Sequence, residues 1–262
     1  MIESRRNYRI KDIRRLRRSK GDRALLEGPH LLHAALDAKL QLEVVLATPE
    51  FIASEAAGPL LEAVEEILVA VRSDVLQSVA DADSPRGLLA VAHLPCAGVA
   101  ALPRAADGVY VFADGLQEPG NLGALARVAE ASGATGLALA EGCAHPNHPR
   151  ALRASAGSLL RLSVARDVAL DELDEHLGSC DPICLALTPR GGEDLYEVDL
   201  PPGAVVLMVG AEGQGLSPAS LERAERKLSL PMRPAVESLN STVAAALTLY
   251  EIERRRGRRS RD

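Results

Sequence analysis

A chain of 262 residues with 47% hydrophobic and 25% charged side chains has enough apolar surface for one large or two medium cores. Aromatic residues make up only 2% of it, which excludes a nucleic-acid surface built mainly on base stacking. The formal net charge of −6 argues against a polyanionic partner, yet ten Lys or Arg crowd into residues 1–23 and six Arg into 254–262, and those two stretches together contain only four acidic residues.

Taken in order, residues 7–19 read as a basic helix with Ile10, Ile13 and Leu16 as a narrow apolar edge, ended by Gly21. Strand-like and helix-like segments then alternate. Strands are predicted at 24–27, 42–48, 67–71 and 87–94, and helices at 30–38, 59–66 and 73–80, the last opened by Ser73 as a cap. The stretch 94–107 has two prolines, small residues and no strong period, as a linker does. It divides the chain into a smaller α/β domain at 1–97, a linker at 98–107 and a second α/β domain at 108–262.

The second domain restarts the alternation. Strands are predicted at 109–113, 136–140, 162–164, 183–187, 205–209 and 228–230. Helices are predicted at 120–132, 150–160, 171–177, 217–226 and over the last segment from 244. Buried strands alternating with helices imply a parallel sheet. Val243, Leu247 and Tyr250 stand at helical spacing in the last helix.

Polar groups gather where these elements end, and binding groups tend to sit there. Gln117-Glu118-Pro119-Gly120-Asn121 follows a strand and opens a helix, with Asn121 a candidate cap. Arg127 stands on that helix among Leu122, Leu125, Val128 and Ala129, so its charge is either paired, aimed into a cleft, or snorkelling at a domain edge. The run Leu207-Met208-Val209-Gly210-Ala211-Glu212-Gly213-Gln214-Gly215 is a buried strand breaking into a turn that needs glycine. Leu230-Pro231-Met232 and Ser238-Leu239-Asn240 precede the last helix. Dinucleotide, P-loop and nucleophile-elbow motifs do not fit: Gly210-Ala-Glu-Gly-Gln-Gly is not G-x-G-x-x-G, and Arg153-Ala-Ser155-Ala-Gly157 lacks the first glycine of G-x-S-x-G. The four cysteines (Cys96, Cys143, Cys180, Cys184) and six histidines show no zinc-site spacing, so no metal is expected and the thiols read as reduced and inert. With no signal-peptide segment and no apolar run long enough to span a bilayer, a cytoplasmic protein without a membrane partner is expected.

The ordered set Asn121…Arg127, Gly210-x-Glu212-Gly213 and Leu230-Pro-Met232…Ser238-Leu-Asn240, with Arg153-Ala-Ser155-Ala-Gly157 between, resembles the SpoU/TrmH branch of the SPOUT methyltransferases. These transfer a methyl group from S-adenosylmethionine to an RNA ribose 2′-hydroxyl. The first domain, with Leu26-Glu27-Gly28-Pro29 and Ser84-Pro85-Arg86-Gly87, is similar to that family's substrate-binding domain. The resemblance implies a parallel-sheet SPOUT domain closed by a deep trefoil knot, a topology no periodicity could suggest. It implies a homodimer that modifies ribosomal RNA in preference to tRNA. Gly210, Gly213, Leu230, Met232 and Leu239 would contact the cofactor. Arg127, Asn121, Glu212, Asn240 and Ser238 would serve the reaction, Ser238 by hydrogen bonding or by capping the last helix. A guanidinium holds its proton too firmly to act as a base, so Arg127 is expected to orient the hydroxyl and stabilise developing negative charge. That role needs Arg127 to face the glycine turn and Asn240 across one cleft. The alternatives are a tRNA enzyme, a non-catalytic RNA-binding assembly factor of the same fold, and a small-molecule-binding protein whose basic ends are incidental.

Overall fold

The computed structural model describes residues 1–16, 21–82, 85–94, 97–200 and 202–257. Arg17, Arg18, Lys20, Ser84, Cys96 and the arginines at 258, 259 and 261 lie outside the described residues. The chain forms two units, Met1–Pro95 with His145–Arg161, and Cys96–Ala144 with Leu162–Asp262.

In the first unit, helix α1 (Tyr8–Leu16) buries Ile10, Ile13 and Leu16, three positions on one helical edge, and leaves its basic side chains outside. The chain continues through β1 (Arg23–Glu27), α2 (Pro29–Asp37), β2 (Leu42–Ala47), α3 (Pro49–Ile52), α4 (Gly58–Glu62), β3 (Leu68–Ala70), α5 (Ser73–Gln77) and β4 (Leu88–His93). The sheet order is β1-β4-β2-β3, with β4 antiparallel to β1 and β2, and β2 parallel to β3. Leu25, Leu46, Leu89 and Val91 of the strands pack with the α1 edge and with Val75 and Leu76 of α5. Ser73 does not cap α5: the cap position is Arg72, and the Ser73 hydroxyl donates to Glu50 at 2.9 Å.

The second unit opens with β5 (Val109–Asp114), α6 (Pro119–Ala131) and β6 (Gly136–Leu139). Helix α7 (Pro149–Ser155) then belongs to the first unit, not to the second domain where sequence periodicity put it. Ion pairs help to hold it there. Glu27, whose side chain is 4% exposed, would be costly without a cation, and Arg153 of α7 reaches it at 3.1 Å and Asp81 at 2.8 Å. The predicted helix 150–160 also stops early, because Ala156 and Gly157 turn left-handed at φ 48° and 90°. A Cβ on Gly157 would stand 2.8 Å from that of Ala34.

The second unit resumes with β7 (Val164–Arg166), α8 (Leu170–Leu177), β8 (Ile183–Leu187), β9 (Glu193–Asp194), β10 (Val205–Gly210), α9 (Pro218–Arg223), β11 (Arg226–Ser229) and α10 (Ser241–Arg255). Its sheet order is β7-β6-β5-β10-β8-β11-β9 and every neighbouring pair is parallel. All six residues of β10 are buried between β5 and β8, as its unbroken apolar run requires. The strand order reverses here: the chain moves outward from β5 to β7, returns two places away at β8, and fills the gap with β10. Ligands collect at such reversals, beyond the C-terminal ends of parallel strands.

Helix α10 is fixed by charge at its far end. Glu251, 7% exposed, accepts from Arg254 twice at 2.7 Å and from Arg255 at 2.6 Å. Arg255 also donates to the Leu195, Tyr196 and Val198 carbonyls, and Arg256 to those of Asp107 and Gly203. Three of the C-terminal arginines are therefore engaged by the chain itself. Hydrogen bonds from Arg254 and then Arg255 hold the Glu251 carboxyl down at about 2, against an ordinary 4.5. A depressed carboxylate stabilises the fold fully above its unfolded value and loses that contribution as pH falls towards its folded one. Glu251→Gln is expected to cost about 2 kcal/mol at pH 7, allowing for solvent screening at Arg254. Thermal unfolding of both forms should show the gap closing as pH falls from 4.5 towards 2, and a constant gap contradicts it.

Candidate functional site

A cleft of about 560 Å³ opens at the C-terminal ends of β8 and β10. One wall is the β8 exit (Leu187, Thr188, Pro189), the floor is Val209 and the turn Gly210–Gly215, and the other wall is Leu230, Met232 and Glu237–Ser241. Its size suits a nucleoside-sized ligand. All five residues expected to hold a cofactor, Gly210, Gly213, Leu230, Met232 and Leu239, line it, as do Glu212, Ser238 and Asn240.

The glycine turn has a reason the sequence hides. A Cβ on Gly210 would lie 2.2 Å from the carbonyl carbon of Gly215 and 2.4 Å from its oxygen. The backbone folds back so tightly, with Ala211 N–H donating to Gly215 O at 3.1 Å and the reciprocal bond at 2.9 Å, that the turn itself excludes a side chain. Gly213, at φ 84°, takes the left-handed position at the tip.

Asn240 is the organising side chain. Its Oδ1 accepts from the backbone N–H groups of Thr242 (3.0 Å) and Val243 (3.1 Å), which makes it the N-cap of α10. Its Nδ2 donates to Asn121 Oδ1 at 3.3 Å and to Glu212 Oε1. One amide thus joins the start of α10, the start of α6 and the glycine turn. Thr242 adds a bond from its hydroxyl to the Asn121 carbonyl at 3.2 Å. Two expectations are corrected. Asn121 does not cap α6; Glu118 does, accepting from Gly120 N–H at 3.4 Å. Ser238 does not cap α10, and among the described residues it makes no hydrogen bond, although it faces the cleft.

Asn240→Asp separates these duties, since a carboxylate keeps the cap but sets a negative charge against Glu212. We expect urea unfolding at pH 7 to show a loss of about 1 kcal/mol at low salt that shrinks at high salt, where counterions screen the repulsion. Asn240→Ala should lose about 1 kcal/mol at both salt concentrations through the missing cap. Equal salt behaviour in the two variants contradicts this arrangement.

Arg127 does not line the cleft, so the expected convergence of Arg127 with the glycine turn and Asn240 across one cleft is not met within the single chain. The residue lies on α6 about 120° round the helix from Asn121, exposed and without a hydrogen bond or ion pair among the described residues. Its charge is neither paired nor buried, as the snorkelling alternative also expects, and it is free for an outside group.

Sequence reasoning missed Leu187, Thr188, Pro189 and Glu237 as cleft residues. The position of the first three just past a parallel strand was the available signal. The lining holds two carboxylates, Glu212 and Glu237, and among the described residues no basic side chain, which suits a ligand bearing positive charge. Cysteine chemistry is not available nearby: burial pushes the Cys184 thiol up to about 11 and raises that of Cys143.

The SpoU rRNA Methylase family model matches residues 108–250, and the MRM3-like substrate binding domain model matches residues 7–90. The chain is 28% identical over 255 residues to the 23S rRNA (guanosine(2553)-2'-O)-methyltransferase RlmP of Bacillus subtilis, spanning 96% of this chain and 98% of that protein. It is 33% identical over 263 residues to an uncharacterized tRNA/rRNA methyltransferase of Synechocystis, spanning 97% of this chain and 93% of the relative. The crystal structure of the SpoU methyltransferase AviRb from Streptomyces viridochromogenes, in complex with AdoMet, aligns with a TM-score of 0.87 at 26% identity, covering 96% of this chain and 98% of that one.

Proposed function

The chain belongs to the SpoU rRNA methylase family, and on that footing we propose that it is an S-adenosylmethionine-dependent RNA ribose 2′-O-methyltransferase acting on ribosomal RNA. The observation that carries the reading is the cleft beyond β8 and β10, with the glycine turn on its floor and the Asn240–Asn121–Glu212 bonds at its rim. The residues present fit the cofactor. Leu230, Met232 and Leu239 offer apolar surface for the adenosine, the Gly210 turn offers main chain without side chains, and Glu212 and Glu237 complement positive charge. Bound S-adenosylmethionine supplies an electrophilic methyl group on a sulfonium.

The protein's task is then positioning. Asn240 and Glu212 hold the rim of the cleft in one geometry. Arg127, free and exposed, orients the ribose hydroxyl or a neighbouring phosphate and stabilises charge developing on the attacking oxygen. Ser238 contributes a hydroxyl from the cleft wall. The first unit grips the RNA backbone, with Arg6 and Lys11 lacking ion pairs among the described residues and so available to phosphates. The trefoil knot belongs to the same reading. Its support is the path after β11, which returns to a point where Asn240 touches both Glu212 and Asn121 before α10 begins. Among the described residues no helix is long and apolar enough to cross a membrane, and cytoplasmic residence is proposed with the rRNA substrate.

A homodimer is also proposed. Val243, Leu247 and Tyr250 are 49%, 41% and 54% exposed, an apolar stripe along the outer face of α10. A second copy covering this stripe would remove it from water, as closed symmetric pairing does. Leu247→Glu is expected to convert a sedimenting dimer to monomer, and a wild-type monomer contradicts the pairing.

Incubating the protein with methyl-labelled cofactor and, separately, undermodified rRNA and tRNA tests the substrate class. Label entering rRNA supports the proposal. Label in tRNA alone moves it to the tRNA alternative, and RNA binding without label in either makes it an assembly factor.

A further inference from the structure

The segment 233–240, whose residues Glu237–Asn240 line one wall of the cleft, has no helix or strand of its own, and its residues from Pro234 to Asn240 are exposed. Among the described residues, two side chains anchor it. One is Asn240 at its end. The other is Arg190, whose Nη2 donates one hydrogen to the Pro234 carbonyl and one to the Val236 carbonyl, each at 3.2 Å. Within the segment a single turn bond, Val236 N–H to Arg233 O at 3.0 Å, completes the set.

Arg190 itself stands on a fixed base. The β8 exit that carries it is tied to the end of β11 by Thr188 N–H to Leu228 O (2.9 Å), the Thr188 hydroxyl to the same oxygen (3.2 Å), and Gly192 N–H to Ser229 Oγ (2.9 Å). Thr188 and Pro189 form one side of the cleft and Glu237–Ser241 the other, so the guanidinium ties the first side to the turn that leads into the second.

We propose that Arg190 is a positioning residue that latches the 233–240 wall in its ligand-holding shape, and so sets how tightly the cleft retains the methyl donor and its demethylated product. This rests on reading the cleft as the cofactor site. A charged donor to two carbonyls fixes a strand-less segment more firmly than neutral turn bonds do. Its removal leaves the ordering of that wall to be supplied by the ligand at each binding event, and affinity falls accordingly.

Calorimetric titration of the full chain with S-adenosylmethionine, and separately with S-adenosylhomocysteine, tests this in wild type, Arg190→Met and Arg190→Lys. Arg190→Met should weaken both affinities by about tenfold. Arg190→Lys, whose ammonium can still donate to two carbonyls, should recover most of the loss. Cleavage by a glutamate-specific protease after Glu237 should speed up in Arg190→Met and not in Arg190→Lys, while the thermal midpoints stay together. Wild-type affinity in Arg190→Met, or an unchanged cleavage rate, overturns the proposal. A wild type that binds neither compound overturns the cofactor reading instead, a failure that the protease rate distinguishes from a failure of Arg190.

Discussion

Arg127→Ala is expected to fold normally and to bind S-adenosylmethionine as the wild type does, while methyl transfer falls by about 10²–10³-fold, the usual cost of losing one donor aimed at developing negative charge. The separation of effects follows from the position of the residue. The side chain is exposed on α6, contributes no bond to the fold among the described residues, and is not part of the cleft lining. Nothing is therefore lost from stability or from the ligand-holding walls. What disappears is a free guanidinium on the helix that carries Asn121. Single-turnover methyl transfer paired with calorimetry checks this. Turnover at the wild-type rate contradicts the role given to Arg127, and an equal loss of cofactor affinity means the residue shapes the cleft instead.

The second large effect is structural. Gly210→Ala places a methyl group 2.2 Å from the Gly215 carbonyl carbon and 2.4 Å from Leu216 N, distances at which backbone must move. Because those neighbours are main-chain atoms held by the reciprocal Ala211–Gly215 bonds, no flexible side chain can swing aside. We expect a destabilisation of about 3 kcal/mol or more, of the size that overpacking and lost backbone bonds produce together. Cofactor affinity should collapse with it, since Gly210 to Gly215 form the cleft floor. Urea unfolding and calorimetry on the same sample measure both. A stable variant that binds normally would show that the turn is looser than its geometry implies.

Much of the second unit was legible in the sequence because its signals are local. The apolar runs of β5 and β10, the Ser217 cap of α9 and the glycines after β10 each specify their own structure. The residues expected at the cofactor also converge, since all lie just beyond strand ends or before α10. What escaped depends on partners distant in sequence. Val243, Leu247 and Tyr250 mark α10 as a helix, but periodicity identifies a face without saying what covers it, and here the covered face is Thr242, Ala245, Thr248, Leu249 and Ile252. The basic C-terminus reads as a phosphate-binding tail, yet Arg255 and Arg256 spend their donors on the chain's own carbonyls. Residues 145–161 look like a continuation of the second domain, and what joins them to the first unit is distant in sequence: the Glu27 and Asp81 carboxylates on Arg153, the Gly21 and Leu94 carbonyls on Asn147, and His30 on the Ala156 carbonyl. Strand β9, two residues long, carries no pattern to read.

The most direct test of the account is the chemical position of the transferred methyl group. Undermodified rRNA, treated with this protein and methyl-labelled S-adenosylmethionine, is digested to nucleosides and each labelled product is identified by mass spectrometry. The expected result is label on the ribose 2′-oxygen of one rRNA nucleoside, lowered by about 10²–10³-fold when Arg127→Ala replaces the wild type. Label on a base, or none from a protein that binds both RNA and cofactor, contradicts it.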